Sequence, residues 1–181
     1  MVVSLKQFCQ LALWVSATTG ACFAASRSAI VGTPAPFEAS ARQAGELRKV
    51  VRVVDGDTIV VSPNEKVRLI GVNTPETKDP KKAVECFGKE ASQFTRDAVE
   101  GKSVRLVLDD RNQRTHHKDY RGRTLAYIYL EDGTMLNANL IRRGYAHTYT
   151  RFRFRYLVEF RELESAARAE AVGLWSSCPL K

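Results

Sequence analysis

VVDGDTIVVSPNEKVRLIGVNTPE, residues 53–76, concentrates carboxylate, amide and guanidinium groups in one short β-rich stretch. Residues 51–54 and 58–61 are β-branched runs joined through Asp55-Gly56, a dipeptide that tolerates the positive φ of a tight hairpin. A third run, residues 66–72, follows Pro63-Asn64. Three short antiparallel strands in this order carry Asp57, just past the first turn, toward Asn73 and Glu76 at the end of the third. Hard divalent cations such as Ca2+ take oxygens from carboxylates, carboxamides and backbone carbonyls. Asp57, Asn73 and the carbonyl of Thr74 are therefore a candidate metal set, with Glu76 one turn beyond and Arg68 on the third strand. Taken singly, each has an ordinary explanation: a hairpin turn, a loop before Pro75, a solvated strand arginine.

Downstream, Phe87, Ala91, Phe94, Ala98 and Val99 fall at helical spacing, with Gly101 placed to stop the helix. Residues 103–108 alternate as a half-buried strand does. The charged connection DDRNQRTHHKDYRG, residues 109–122, holds His116 and His117. Adjacent residues point apart on a strand, and no cysteine is nearby, so zinc has little support. A strand over residues 123–130 places Leu125, Tyr127 and Tyr129 on one face. Thr134 is positioned to cap a helix through Ile141, closed by Gly144. A last helix, residues 156–172, ends at Gly173 before Leu174-Trp175.

DGDT at 55–58, RLIGVNTPET at 68–77, DYRGRTLAYIY at 119–129 and DGTMLNANLIRRGYA at 132–146, followed by GLW at 173–175, occur in order. Together they resemble the staphylococcal nuclease (thermonuclease) family over roughly residues 49–176. The resemblance implies an α+β fold that is mainly β: a five-stranded oligonucleotide/oligosaccharide-binding (OB) barrel with three helices. It also implies a Ca2+-dependent phosphodiesterase site, another divalent metal remaining open. Asp57, Asn73 and Thr74 would hold the metal, Arg68, Glu76 and Arg123 would be catalytic, and the products would end in 3′-phosphates.

Two departures from the family pattern bear on this. The namesake of the family has an aspartate where this chain has Asn73; an amide oxygen still ligates, but one negative charge is lost, so weaker Ca2+ affinity or a different metal preference is expected. Tyr120 and Arg121, candidate nucleic-acid contacts, replace a lysine-tyrosine pair before Gly122. Arg123 leaves that glycine turn with a planar fork suited to two phosphate oxygens. YAHTYTRFRFRY, residues 145–156, interleaves aromatics, Tyr149 among them, with three arginines. That pattern suits stacking of bases along a strand, or else Phe152, Phe154 and Tyr156 anchor the last helix and the arginines are solvated.

The 181 residues fit one domain with an extension, and the formal charge of +8 favours a polyanionic partner. Residues 1–25 read as an export leader, with Lys6 ahead of an apolar run shorter than a span of about 20 residues. A secreted or periplasmic location is expected. A retained anchor, or acylation of Cys22 in TGAC, would instead tie the chain to a membrane. Residues 26–48 lack apolar periodicity and read as a flexible linker, and residues 177–181 as a tail. Removal of the leader leaves Cys86 and Cys178, which an exported protein can join at a gain of about 2–4 kcal/mol, or keep as unrelated thiols. DNA or RNA is the expected substrate, with no protein partner implied and a monomer expected. The alternatives are an inactive OB-fold nucleic-acid-binding module and an exported basic barrel that binds polysaccharide. A degenerate binder would have lost at least one of Asp57, Arg68, Glu76 and Arg123, and all four are present.

Overall fold

The computed structural model describes residues 45–77 and 83–179; the expected leader and most of the expected linker lie outside that range. Strand β1 (Glu46–Asp55) begins three residues inside the stretch read as linker. Its first half pairs with β5 (Ser103–Val107) and its second with β2 (Thr58–Val61). Two register shifts, between Val50 and Arg52 and between Val53 and Asp55, interrupt the β1–β2 ladder. Such irregularities add the twist that lets one long strand serve two neighbours in a closed barrel. Strand β3 (Glu65–Leu69) pairs antiparallel with β2 and parallel with β6 (Thr124–Tyr129), which returns to β5. The five strands close in the order β1-β2-β3-β6-β5.

The third run does not continue to Val72 as one strand. It breaks after Leu69 because Gly71 takes φ 73° beneath Phe154, where a Cβ would lie 2.6 Å from the ring. The chain resumes as β4 (Val72–Asn73), which pairs with β7 (His147–Thr148) in a separate two-stranded sheet. Asn73 consequently stands off the barrel wall, beside His147.

Helix α1 (Gly88–Val99) and helix α2 (Leu136–Arg142) pack against β1 and β6, and α3 (Leu157–Ala169) packs on α2. Three helices were expected, and the structure has a short fourth, α4 (Leu174–Ser177). The chain leaves helical geometry at Ala171 (φ 50°) and re-enters it after Gly173 (φ 59°), so the 156–172 helix ends early. Thr134 does not cap α2: its N–H donates to Asp132 Oδ1 at 2.8 Å in the preceding turn, and Met135 holds the cap position without a side-chain bond. His116 and His117 sit on no strand; both adopt left-handed φ after the 3₁₀ turn Asp110–Thr115.

Helices on the outside explain why β6 is buried on both faces rather than alternating: Ala126, Tyr127, Ile128 and Tyr129 are all inaccessible. Within that layer Asn137 on α2 is fully buried and saturates its amide. It accepts from Ile128 N–H at 2.9 Å and donates to Ile70 O at 2.9 Å and Ala126 O at 3.3 Å. This joins α2, β6 and the break after β3. Asn137→Ala removes the partner of a buried N–H, and should lower the unfolding free energy by about 2–4 kcal/mol in urea titration.

Glu164 on α3 makes the matching tie at β7, accepting from Thr148 N–H at 3.2 Å and from Arg168 at 2.9 Å, with His147 Nδ1 3.6 Å away. Burial opposes its charge, but these donors outweigh it and hold the carboxyl down at about 2. The folded pKa lies below the unfolded one, so this contribution is complete above about pH 4.5 and is lost as the pH falls toward about 2. Glu164→Gln should flatten that acid limb in unfolding curves recorded across the same window.

Candidate active site

Asp55 pairs with Thr58 across the β1–β2 hairpin, so the two turn residues are Gly56 and Asp57 rather than Asp55 and Gly56. Gly56 does not take a positive φ. Glycine is required there for a different reason: a Cβ would lie 2.7 Å from Thr74 Cγ2 and 2.8 Å from Thr74 Oγ1. The turn is held from below by α1, where buried Thr95 donates through Oγ1 to Gly56 O at 2.6 Å.

Asp57 is buried, and both of its carboxylate oxygens accept hydrogen bonds. Its Oδ1 accepts from Thr58 Oγ1 at 2.9 Å, and its Oδ2 accepts from Thr74 N–H at 3.2 Å and pairs with Arg68 Nη1. Its backbone carbonyl accepts from Leu69 N–H at 3.0 Å and from Arg68 Nη1 at 3.3 Å. Arg68 lies opposite Thr58 in the β2–β3 ladder, which is why its side chain reaches the turn. Its second guanidinium nitrogen is 3.5 Å from Asn73 Oδ1.

The parallel pairing of β3 with β6, Val67 opposite Thr124 and Arg68 opposite Leu125, sets Arg123 at the start of the strand beside β3, 55 positions along the chain from Arg68. Asp119 fixes Arg123, accepting from its N–H at 2.9 Å and from Nε at 2.7 Å. Burial opposes the Asp119 charge, yet these bonds hold its carboxyl below the ordinary range. Arg123 then donates through Nη1 to Thr58 Oγ1 at 3.2 Å. One hydroxyl thus links Arg123 to the carboxylate that Arg68 also grips.

Glu76 is half-buried and accepts from Thr77 N–H at 2.9 Å. It reaches the network through Asp55, which the sequence pattern suggested only as a turn residue. Asp55 accepts at Oδ1 from Gly56 N–H and from Thr77 Oγ1, both at 2.9 Å, and shares a side-chain hydrogen bond with Glu76. Burial first, then that shared bond, pushes the Asp55 carboxyl up to about 6, with Asp57 adding to the effect. An aspartate on each side of the glycine in DGDT is the signal that could have placed Asp55 in the site beside Asp57.

Asp57, Arg68, Asn73, Thr74 and Arg123 form one connected group, with Glu76 beside it through Asp55. Tyr120 and Arg121 occupy the tip of the turn before Gly122. Tyr120 is 86% exposed with Arg121 5.3 Å from its ring centroid. Tyr149 is half-buried next to β7, donates its N–H to Gly71 O at 2.9 Å, and tilts against exposed Phe152 at 6.0 Å. Phe154 and Tyr156 are buried in the core, so the 145–156 segment divides between anchor and surface.

The donor chemistry fits a hard cation. The Asp57 carboxylate and the Asn73 amide oxygen converge on Arg68, and the adjoining Thr74 Oγ1 is buried without a hydrogen-bond partner. Among the described residues no group of three or more His, Cys, Asp or Glu side chains is arranged for a metal. A cation held here relies on amide and carbonyl oxygens beside one carboxylate.

Residues 66–177 match the family described as staphylococcal nuclease homologue. The chain belongs to the staphylococcal nuclease family. It is 38% identical over 133 residues to a thermonuclease of Staphylococcus hyicus, covering 71% of this chain and 75% of that one. It is 38% identical over 147 residues to a thermonuclease of Staphylococcus intermedius, covering 77% and 83%. Endonuclease YncB of Bacillus subtilis is 35% identical over 130 residues, 69% of this chain and 59% of that protein. In this family member the matched span holds Arg68, Asn73, Thr74, Glu76 and Arg123, while Asp57 lies in the hairpin just before it.

The Gly56–Thr74 approach makes a direct prediction. Gly56→Ala forces a methyl against Thr74 and should cost about 1–3 kcal/mol of stability. Chemical denaturation measures it, and no measurable cost would mean that Thr74 moves aside freely.

Proposed function

We propose that this chain is an exported nuclease that hydrolyses phosphodiester bonds of DNA and RNA with Ca2+ and little sequence selectivity, leaving 3′-phosphates. One observation carries the reading: Arg68 and Arg123 meet at Asp57 and Thr58, with Glu76 beside them through Asp55. Two guanidinium groups and a carboxylate gathered at one site can grip a phosphate, stabilise the charge that grows on it and activate a water. Membership of the nuclease family supports it.

Ca2+ held by Asp57, Asn73 and the Thr74 carbonyl would polarise the phosphate and make a bound water more acidic. Glu76 orients the attacking water and takes its proton as the new P–O bond forms. The bond from phosphorus to the 5′ oxygen breaks, that oxygen takes a proton from solvent water, and the phosphate stays on the 3′ side. Arg68 and Arg123 hold the non-bridging oxygens and stabilise the charge that grows on them, where fixed donors contribute most. Asp119 keeps the Arg123 fork pre-aimed, so little ordering is left for the moment of reaction. A site that grips phosphate has few reasons to read base edges. Exposed Tyr120 and Arg121, with Tyr149 and Phe152, offer flanking surfaces for stacking and backbone contact. Export is supported by the leader pattern of residues 1–25 and by the cysteine bridge described below, which an oxidising compartment preserves.

A plasmid-nicking assay separates the readings. With Ca2+ the chain should nick, and chelator or Glu76→Gln should abolish nicking. Retained binding with no nicking under any condition would instead indicate an inactive binding module. Arg68→Ala and Arg123→Ala should each reduce kcat/KM by about 10²-fold or more. Calorimetric titration should show Ca2+ binding that Asp57→Ala removes and Asn73→Asp strengthens; binding unaffected by Asp57→Ala would refute the ligand assignment.

A further inference from the structure

Glu85 braces Glu76 along its backbone. The Glu76 N–H donates to Glu85 Oε2 at 3.0 Å, and the Glu76 carbonyl accepts from Glu85 N–H at 2.9 Å. Glu85 belongs to no helix or strand. Its carbonyl accepts from Gly88 N–H at 3.0 Å, and the first turn of α1 lies so close to the site that a Cβ on Gly88 would meet Thr77 Cγ2 at 2.8 Å and Pro75 O at 3.1 Å.

The next residue, Cys86, is exposed and bonded to Cys178, 92 positions away, with the Cα atoms 5.9 Å apart. Cys178 ends α4, donating its N–H to Leu174 O at 3.0 Å. Leu174 is buried and donates its own N–H to Gly144 O at 2.8 Å. The backbones at Gly144 and Gly173 touch, since a Cβ on Gly173 would lie 2.4 Å from Gly144 O. A continuous path of backbone hydrogen bonds and one covalent link therefore runs from Glu76 through Glu85, Cys86, Cys178 and α4 to the end of α2. Helix α1 has separate anchors: Thr95 on Gly56 O, buried Ala91 and Val99, and Phe87 with its ring 5.4 Å from that of Tyr145.

We propose that Glu85 and the Cys86–Cys178 bridge act together as positioning residues for Glu76, so that opening the bridge lowers nuclease turnover while the barrel stays folded. The proposal rests on the nuclease reading for its activity readout. The redox step is ordinary exchange: a dithiol gives two electrons and two protons, the S–S bond breaks to two thiols, and the dithiol closes to its own disulfide. Cys86 is exposed, so such a reductant reaches it. Displacement of a catalytic group by about 1 Å can cost about 10²-fold in rate. A released brace that lets Glu76 wander part of that distance should cost about 10-fold.

The test compares the full chain oxidised and after dithiothreitol, at a temperature where near-ultraviolet circular dichroism shows both folded. kcat should fall about 10-fold with KM changed less than about 2-fold. The Cys86→Ser/Cys178→Ser variant should match the reduced chain and ignore dithiol. Glu85→Ala should show a similar loss, and Glu85→Gln, whose amide oxygen still accepts the Glu76 N–H, should recover most of it. Amide exchange at Glu76, followed by NMR, should quicken about 10-fold on reduction. This readout does not need cleavage, so it decides the brace even if the oxidised chain proves inactive and the nuclease reading fails. Unchanged kcat together with unchanged Glu76 exchange overturns the proposal, as does a loss of kcat that tracks unfolding.

Discussion

Both oxygens of the Asp57 carboxylate and its backbone carbonyl are held, by Thr58, Thr74, Arg68 and Leu69. A buried carboxylate is tolerated when its charge is matched and its oxygens are hydrogen-bonded. The side-chain partners come from three different parts of the β-rich stretch, so satisfying this one side chain fixes the β1–β2 turn against β3 and the start of the loop after β4. The Thr95 bond to Gly56 O and the close approach of Gly56 to Thr74 lock the same turn from the two remaining sides. Arg68 is a full charge partner in that arrangement, so its place in the site is a consequence of packing as much as of function.

Closure of the barrel then supplies the second guanidinium. The β3–β6 contact is the parallel one in the ring, and a parallel neighbour requires a long crossover between the two strands. Helix α1, β5 and the 3₁₀ turn fill that crossover, and its end delivers Asp119 and Arg123 to the mouth of the site. Arg123 is aimed by its own ion pair with Asp119 and touches Thr58 with the free end of its fork. The two arginines therefore arrive by different routes, and the Asp57 carboxylate with the Thr58 hydroxyl joins them.

Much of this is legible in the sequence, and the rest is not for identifiable reasons. The β-branched runs on either side of DGDT, and the ordered motifs that follow, show a barrel with the acidic turn at its mouth, because they are local patterns. The break after Leu69 is invisible locally: it is imposed by Phe154, more than eighty positions downstream, which occupies the space under Gly71. The same holds for Gly56, whose lack of a Cβ answers to Thr74 and not to the turn's own φ. Asn137 reads as an ordinary helix residue until its three backbone partners from β6 and the β3–β4 break are seen together. Asp55 likewise reads as a turn residue, and nothing in the local sequence marks the contact of Glu85 with Glu76. Alternation failed for β6 because α2 covers its outer face, which no periodicity within the strand reveals.

The central claim is that Arg68 and Arg123 act on one phosphate as a unit. A double-mutant cycle on kcat/KM, with Arg68→Ala, Arg123→Ala and the pair, measures that directly. Groups that share a phosphate are coupled, so the double variant should lose far less than the product of the two single losses. Losses that multiply cleanly would place the two arginines on independent tasks and contradict the account.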